Sequence, residues 1–114
     1  MSDCLFCKII NRDIPATLIY EDSQLVAFQD VNPQAPMHIL VVPKRHIATL
    51  NDLTADDDGI IGSMVRRATV IANDQKYGQA GYRTVFNCNA DGGQTVFHIH
   101  LHLLGGRTMA WPPG

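Results

Sequence analysis

Near the C-terminal end of the chain, three histidines alternate strictly with apolar residues in the stretch V-F-H-I-H-L-H-L-L-G-G, which covers Val96–Gly106. Alternation with a period of two is typical of a β-strand, whose successive side chains point to opposite faces. The pattern therefore predicts a strand over Val96–Leu104 with three imidazoles on one face: His98, His100 and His102. The apolar residues would occupy the other face and anchor the strand in a core: Phe97, Ile99, Leu101 and Leu103.

Three different roles could explain a strand face built from imidazoles. The face could be an exposed polar surface, or the three histidines could bind one metal ion. Alternatively, one imidazole could be the nucleophile in phosphoryl or nucleotidyl transfer while its neighbours place protons and charge. A histidine near its ordinary pKa of about 6.5 is largely neutral at pH 7, so it is a usable nucleophile. Its second ring nitrogen must then carry the proton, and a backbone carbonyl would be a suitable acceptor.

Length and composition favour a single globular domain over residues 1–114. Hydrophobic residues make up 46% of the chain and charged residues 18%, which is ordinary for a globular domain. The net charge of −2 argues against a nucleic-acid partner, because such a partner requires a basic face. No apolar run reaches the roughly 18 residues of a membrane span, so we expect no membrane partner. Three cysteines, and a start Met1-Ser2-Asp3 without the basic character of a signal peptide, predict a cytoplasmic protein with thiol or metal chemistry.

The remaining segments predict an α+β fold with a mainly antiparallel, five-stranded sheet, one short helix and one long helix. The short helix is predicted over Cys4–Asn11. The long helix is predicted over Thr54–Tyr77, with Thr54 and Asp57 as a capping box and Gly78 as its stop. Besides the histidine strand, four strands are predicted: Thr17–Tyr20, Leu25–Phe28, His38–Val42 and Gly81–Asn87. The last of these should pair with the histidine strand, because only a short loop with a turn at Asp91–Gly93 joins them.

Several further motifs accompany the histidines. F-C-K-I-I lies near the start, N-P-Q-A-P precedes His38, D-G-G-Q precedes the triad, and L-L-G-G-R and W-P-P-G end the chain. With the pattern H-φ-H-φ-H-φ-φ, these motifs resemble the histidine triad (HIT) family over nearly the whole chain, and in particular its nucleotide-binding phosphoramidase branch. The resemblance implies a HIT-like fold and a homodimeric hydrolase of adenosine or guanosine 5′-phosphoramidates and, more slowly, of aminoacyl adenylates. Such an enzyme forms a nucleotidyl-histidine intermediate and needs no cofactor for catalysis.

The resemblance also implies roles for individual residues of this chain. His100 would be the nucleophile, His102 and His38 would support the phosphate and the proton transfers, and His98 would back up the nucleophile. Asp30 would bind the ribose hydroxyls, although it could instead cap the loop that contains Pro33. The apolar slot for the base would consist of Phe6, Ile9, Ile14, Phe28 and Val31. The phosphate neighbourhood would consist of Asn87, Gly93, Gln94 and Thr95.

A pair of cysteines, Cys4 and Cys7, stands at the start of the short helix with the spacing of metal ligands. In some members of the family such a pair binds a structural zinc ion together with two histidines, which are His46 and His98 in this chain. Four nitrogen and sulfur ligands would leave no open coordination position, so the zinc would be structural. Two cysteines that simply pack in a helix are the alternative.

The partners implied by the resemblance are a purine nucleotide and a second copy of the chain. A wide apolar stripe on the long helix and a sheet edge at Gly81–Asn87 could form a two-fold interface that extends the sheet across the dimer. Other functions remain open: a nucleotide-binding scaffold with little turnover, a dinucleoside polyphosphate hydrolase or nucleotidylyltransferase of the same family, or a zinc hydrolase that uses all three triad histidines as ligands.

Overall fold

The computed structural model describes residues 3–114, which form a five-stranded sheet and three helices. The helices are α1 (Leu5–Ile10), α2 (Asp58–Asp74) and α3 (Asn89–Gly92). The strands are β1 (Leu18–Glu21), β2 (Leu25–Gln29), β3 (Met37–Pro43), β4 (Tyr82–Phe86) and β5 (Leu101–Gly105). Two short 3-10 turns, Leu50–Asp52 and Ala55–Asp57, precede α2. Met1 and Ser2, which belong to the N-terminal stretch that predicts a cytoplasmic protein, lie outside the described residues.

The strand order in the sheet is β1-β2-β3-β5-β4, and every neighbouring pair is antiparallel. This topology confirms the predicted α+β class, with its five-stranded antiparallel sheet and one long helix. The predicted pairing of the strand near residue 84 with the histidine strand is also confirmed, since β4 pairs with β5 from Tyr82↔Gly105 to Phe86↔Leu101. The turn predicted at Asp91–Gly93 is instead the end of α3, a single helical turn whose C-cap, Gly93, has a φ of +83°.

The two faces of the sheet carry two separate cores. Residues from alternate positions of the central strands pack on one face against α2, which contributes Met64 and Ala68. On the other face, α1 covers the sheet, and Phe6 packs among Val26, Phe28, Leu40 and Val42. Because side chains along a strand alternate between the faces, His38 of β3 and His102 of β5 lie on the face covered by α1. This second face is therefore where the candidate site forms.

Helix α2 is shorter than the sequence pattern predicts. The capping box is present, with the Thr54 N–H donating to Asp57 Oδ2 at 2.8 Å, but the chain first makes a 3-10 turn and becomes α-helical only at Asp58. The helix ends at Asp74, because Lys76 adopts a left-handed φ of +72° that closes the helix in place of Gly78. No helix within residues 3–114 is long and apolar enough to cross a membrane.

The histidine strand begins at Leu101, five residues later than the predicted start at Val96. The backbone before Leu101 is used elsewhere: the Ile99 N–H donates to the Ile47 carbonyl at 2.7 Å, and the His98 carbonyl accepts from an imidazole. The alternation of faces also fails at Phe97, whose side chain is 49% exposed instead of buried. Where the pattern predicts one continuous strand, the structure therefore has a short strand, preceded by an irregular segment that carries His98 and His100.

Candidate active site

Neighbouring strands bring His38 and His102 together. In the register of β3 and β5, His38 lies opposite Leu104 and Leu40 lies opposite His102, so the two histidines are diagonal neighbours on one face. Diagonal positions are close enough for long side chains to touch. The Nε2 atom of His38 lies 2.9 Å from Nδ1 of His102, which is a hydrogen-bond distance.

A backbone amide determines the direction of this hydrogen bond. The Gln34 N–H donates to Nδ1 of His38 at 3.0 Å, so this nitrogen must be an acceptor and the proton of neutral His38 must be on Nε2. The Nε2–H of His38 therefore donates to Nδ1 of His102. The proton of neutral His102 is then on its own Nε2, the ring nitrogen that remains available to a bound molecule.

Asp30 stands beside this histidine pair and has two contacts. Its Oδ1 accepts from the Asn32 N–H at 2.8 Å, which is the loop-capping role that the sequence left open. Its Oδ2 lies 3.4 Å from Nε2 of His38. Burial lowers the pKa of His38, and the carboxylate of Asp30 only partly offsets this effect.

His100 is held with one ring nitrogen occupied. Its Nδ1 lies 2.8 Å from the carbonyl oxygen of His98, which can only accept, so Nδ1 carries the proton and Nε2 has a lone pair. The Phe6 ring meets the imidazole edge-on, with centroids 4.9 Å apart and an interplanar angle of 85°. The centroid of the His102 ring is also 4.9 Å from that of His100.

Burial keeps these imidazoles neutral. It lowers the pKa of His100, against a smaller opposing contribution from the hydrogen bond to the His98 carbonyl. It lowers the pKa of His102 to about 4, and the neighbouring His100 and His38 act in the same direction. At pH 7 the site therefore presents a lone pair on His100 and a neutral N–H donor on His102.

A cavity of about 390 Å³ opens between α1 and the end of β2, and both His100 and His102 line it. Of the residues predicted to bind nucleotide, seven line this cavity: Phe6, Ile9, Ile14, Phe28, Asp30, Val31 and Thr95. Six further lining residues were not predicted: Leu5, Pro15, Ala16, Gln29, Leu40 and Val96. Period-two spacing is a signal that could have found two of them, since Leu40 follows His38 by two positions and Val96 precedes His98 by two.

Three residues assigned to the phosphate neighbourhood do not line the cavity: Asn87, Gly93 and Gln94. The Gln94 side chain is buried and instead supports the loop, because its amide nitrogen donates to the carbonyls of Ala48 and Val96 and its oxygen accepts from the Asn89 N–H. Thr95, the next residue, is exposed at the edge of the cavity.

The four residues of the predicted zinc site form one cluster. The Nδ1 atom of His98 lies 3.4 Å from Sγ of Cys4, 3.5 Å from Sγ of Cys7 and 3.2 Å from Nδ1 of His46. The Sγ of Cys7 also lies 3.4 Å from Nδ1 of His46. The other ring nitrogen of His98, Nε2, is 2.7 Å from the Pro43 carbonyl oxygen, so its proton is held away from the cluster.

These separations fit a tetrahedral zinc ion. Zinc–sulfur and zinc–nitrogen bonds of ordinary length place the ligand atoms of one tetrahedron about 3.3–3.8 Å apart, with two nitrogen ligands at the lower end. The 3.2 Å between the two imidazoles is within about 0.1 Å of that value. A backbone carbonyl that accepts from the second nitrogen of a ligating histidine is also the usual arrangement behind zinc. Cys4, Cys7, His46 and His98 would hold the ion, which would have no open position for chemistry.

The triad histidines do not form one metal-sized group among the described residues. His98 belongs to the cysteine cluster, whereas His102 belongs to a second group with Asp30 and His38. In that second group the 2.9 Å between the imidazoles of His38 and His102 is a hydrogen-bond distance, shorter than the separation of two ligands on one zinc. The geometry therefore gives no support to a zinc ion bound by all three triad histidines.

Comparisons with known proteins agree with the motifs of the sequence. The family model described as "Scavenger mRNA decapping enzyme C-term binding" matches residues 3–110. An uncharacterized HIT-like protein of Synechococcus elongatus is 52% identical over 112 residues, which cover 98% of this chain and 97% of that protein. A purine nucleoside phosphoramidase of Escherichia coli is 45% identical over 107 residues, which cover 94% of this chain and 90% of that protein.

Solved structures have the same fold. The crystal structure of a HIT family hydrolase from Legionella pneumophila matches with a TM-score of 0.97 and 54% sequence identity, over 98% of this chain and 100% of that chain. A histidine triad protein from Clostridium difficile matches with a TM-score of 0.93 and 44% identity, over 96% of each chain.

Proposed function

Since this chain belongs to the histidine triad family of hydrolases, we propose that it hydrolyses purine nucleoside 5′-phosphoramidates through a nucleotidyl-histidine intermediate. The observation that carries the proposal is the orientation of His100. Its Nδ1–H is held by the His98 carbonyl at 2.8 Å, which leaves the lone pair of Nε2 at the cavity that His100 lines. A neutral, oriented imidazole beside an apolar cavity is suited to attack the phosphorus of a bound nucleotide.

The cavity is suited to a nucleoside monophosphate unit. Phe6, Phe28 and Ile9 supply apolar surface against which a purine can stack, and Asp30 at the rim can accept hydrogen bonds from the two ribose hydroxyls. His100 and His102 line the same cavity, so a nucleotide bound in this way would bring its α-phosphate to the two imidazoles. A volume of about 390 Å³ falls within the range of small-molecule sites.

In the first step, Nε2 of His100 attacks the α-phosphorus and the P–N bond to the amine breaks. The departing amine needs a proton, and the donor at the cavity is the Nε2–H of His102. The negative charge of the bound phosphate favours uptake of one more proton by His102, on Nδ1, and the His38 Nε2–H that donates to this nitrogen in the free protein then has Asp30 Oδ2, 3.4 Å away, as its acceptor. His102 can therefore give up its Nε2 proton and remain neutral. In the second step, His102 accepts a proton from water as the water oxygen displaces His100 from phosphorus, which restores both imidazoles.

The test is a panel of substrates assayed side by side. We expect adenosine 5′-phosphoramidate and an adenosine lysine phosphoramidate to be hydrolysed with a higher kcat/KM than diadenosine polyphosphates. Faster hydrolysis of the dinucleotides would favour the polyphosphate hydrolase instead. Tight nucleotide binding without turnover of any member of the panel would favour a scaffold module.

A structural zinc ion and a homodimer complete the proposal. The fit of the four-ligand cluster supports the zinc ion, which would stabilise the fold and take no part in the chemistry. The order of the strands supports the dimer, because β4 is an edge strand and could pair with β4 of a second copy. Beside that edge, α2 exposes the apolar side chain of Val65, which is 43% accessible.

A further inference from the structure

The segment that holds two ligands of the zinc cluster also carries a wall of the nucleotide cavity. Phe6 stands in sequence between Cys4 and Cys7. Its ring is 4% exposed, packs edge-on against His100 at 4.9 Å and against Phe28 at 5.4 Å, and lines the cavity. A displacement of the two cysteines would therefore move Phe6, which contacts the nucleophile His100 and lines the part of the cavity proposed to bind the purine.

A second connection runs from the cluster to His100 through His98. The imidazole of His98 joins the cluster by Nδ1 and the Pro43 carbonyl by Nε2, so both of its nitrogens are engaged. The carbonyl of the same residue accepts the hydrogen bond from Nδ1 of His100 that leaves Nε2 of His100 available. The position and the tautomer of the nucleophile thus depend on how firmly His98 is held.

Helix α1 depends on the cluster for polar attachment to the segments that follow β3 and precede β5. Within residues 3–114, the side-chain hydrogen bonds that join the Cys4–Ile10 segment to distant parts of the chain run from the two sulfur atoms to His46 and His98. The rest of the attachment is apolar packing of Phe6, Ile9 and Ile10. A helix of six residues is too short to be stable alone, so its position is set by these contacts.

We propose that the cluster of Cys4, Cys7, His46 and His98 positions Phe6 and His100, so that zinc binding tightens nucleotide binding as well as stabilising the fold. The proposal rests on the proposed function, since it takes the α1 cavity to be the nucleotide site and His100 to be the nucleophile. It makes His46 a positioning residue that is remote from the nucleotide. His46 is exposed, contacts Cys7 and His98 within the cluster and does not line the cavity.

The experiment measures the affinity for AMP, which requires no turnover. Wild-type protein is titrated with AMP by calorimetry after loading with one equivalent of zinc and again after removal of the metal with a chelator. His46→Ala is treated in the same way, and Cys88→Ser is the matched control because Cys88 is the third cysteine and lies outside both the cluster and the cavity. We expect zinc removal to weaken AMP binding by wild type and by Cys88→Ser by about tenfold, which corresponds to a loss of about 1.4 kcal/mol of binding free energy.

The His46→Ala variant should bind AMP weakly whether or not zinc is added, because it lacks one of the four ligands. The tautomer of His100 provides a second readout: in ¹⁵N NMR spectra, zinc-loaded wild type should have a single Nδ1–H form, and the metal-free protein a mixture of both tautomers. If His46→Ala is too unstable to purify, the chelator titration and the NMR spectra of wild type decide the question alone.

Three outcomes would overturn the proposal. Equal AMP affinity with and without zinc, together with a lower melting temperature without it, would mean that the metal only stabilises the fold, and the proposed enzymatic function would stand. Failure of wild type to retain zinc at micromolar concentration would also overturn it. Absence of AMP binding in every form would instead contradict the proposed function, and the inference would fall with it.

Discussion

The tautomers of the histidines, such as that of His38, can be assigned only from the three-dimensional structure. The alternating pattern identifies His98, His100 and His102, and the family resemblance adds His38, but the tautomers depend on hydrogen bonds to backbone groups that only the folded chain orients. The Gln34 N–H and the His98 carbonyl assign the protons of His38 and His100, respectively. The family resemblance also predicts that Asn87, Gly93 and Gln94 lie near the phosphate, but these residues do not line the cavity. Leu40, Gln29 and other residues from strands and loops line it, and their approach depends on packing.

Replacing the nucleophile should separate binding from chemistry. His100→Asn keeps a polar side chain of similar size beside Phe6, so we expect AMP affinity to change by less than a few fold. Turnover of adenosine 5′-phosphoramidate should fall by about 10⁴-fold or more, because the covalent path is lost and not merely weakened. His102→Asn, the matched variant at the neighbouring imidazole, removes an acid–base group and should cost about 10²–10⁴-fold.

Rapid quench followed by mass spectrometry of the peptide around residue 100 locates the intermediate. The expected adduct is a nucleotide on His100 of wild type, and it should be absent from His100→Asn. An adduct on His98 or His102, or turnover by His100→Asn near that of wild type, would contradict the assignment of the nucleophile.

The lowered pKa of His102 makes the stability depend on pH. In the unfolded chain this imidazole takes up a proton near its ordinary pKa of about 6.5, but in the folded protein only near pH 4. Between these values the unfolded state binds more protons, so the free energy of unfolding falls as the pH is lowered. For this one group the loss between pH 6.5 and pH 4 is about 2–3 kcal/mol.

Urea unfolding of wild type and His102→Asn at a series of pH values from 7.5 to 4.5 measures this dependence. The variant should have a shallower decrease of the unfolding free energy on the acid side, because one of the buried neutral imidazoles is gone. Parallel curves for the two proteins would mean that His102 does not have a lowered pKa in the folded state.

Secondary structure elements were predicted most accurately where local signals determine them. The capping box of Thr54 and Asp57 forms as predicted, and four of the five strands lie within about two residues of the predicted bounds. The histidine strand is the exception. In the first half of the predicted strand, the Ile99 N–H donates to the Ile47 carbonyl and the His98 imidazole to the Pro43 carbonyl, both from a distant part of the chain. Long-range hydrogen bonds of this kind cannot be read from the period-two pattern of the sequence, so the pattern predicts a strand that is too long.

The end of α2 is a site at which a single substitution should stabilise the protein. Lys76 has a left-handed φ of +72°, while the Tyr77 N–H donates to the Ala72 carbonyl at 2.9 Å and the Lys76 N–H to the Asn73 carbonyl at 3.0 Å. This is the hydrogen-bond pattern that usually has glycine at the left-handed position. Lys76→Gly should therefore raise the free energy of unfolding by about 1 kcal/mol, the cost of the left-handed conformation for a residue with a Cβ.

Asp74→Gly is the matched control, since it introduces the same residue two positions earlier, in the last turn of the helix. There glycine adds backbone entropy to the unfolded state without relieving strain, so stability should decrease. The comparison is made by urea unfolding of both variants at pH 7. A loss of stability in Lys76→Gly equal to that of Asp74→Gly would show that the left-handed position is not strained.

The two faces of the sheet serve different purposes: one carries the main hydrophobic core, and the other carries the candidate active site. The larger core lies between the sheet and α2, whereas the smaller core under α1 merges into the nucleotide cavity. The edge strand β4 and the exposed side of α2 lie away from that cavity. A second copy could therefore bind there without blocking the entrance between α1 and the end of β2.

The predicted two-fold dimer can be tested at this edge. The hydroxyl of Tyr82 in β4 donates to Oγ1 of Thr69 at 3.2 Å, which places Thr69, and Val65 one helical turn before it, on the side of α2 next to the sheet edge. Light scattering of wild type at about 10 μM should give twice the 12.6 kDa of the chain, 2 × 12.6 = 25.2 kDa.

Val65→Glu would place an unpaired carboxylate in each half of the interface and should give the monomer mass. Ser63→Glu introduces the same side chain about 200° around the helix, at another exposed position, and should remain dimeric. A monomeric wild type, or dissociation by Ser63→Glu to the same extent as by Val65→Glu, would exclude this edge as the interface.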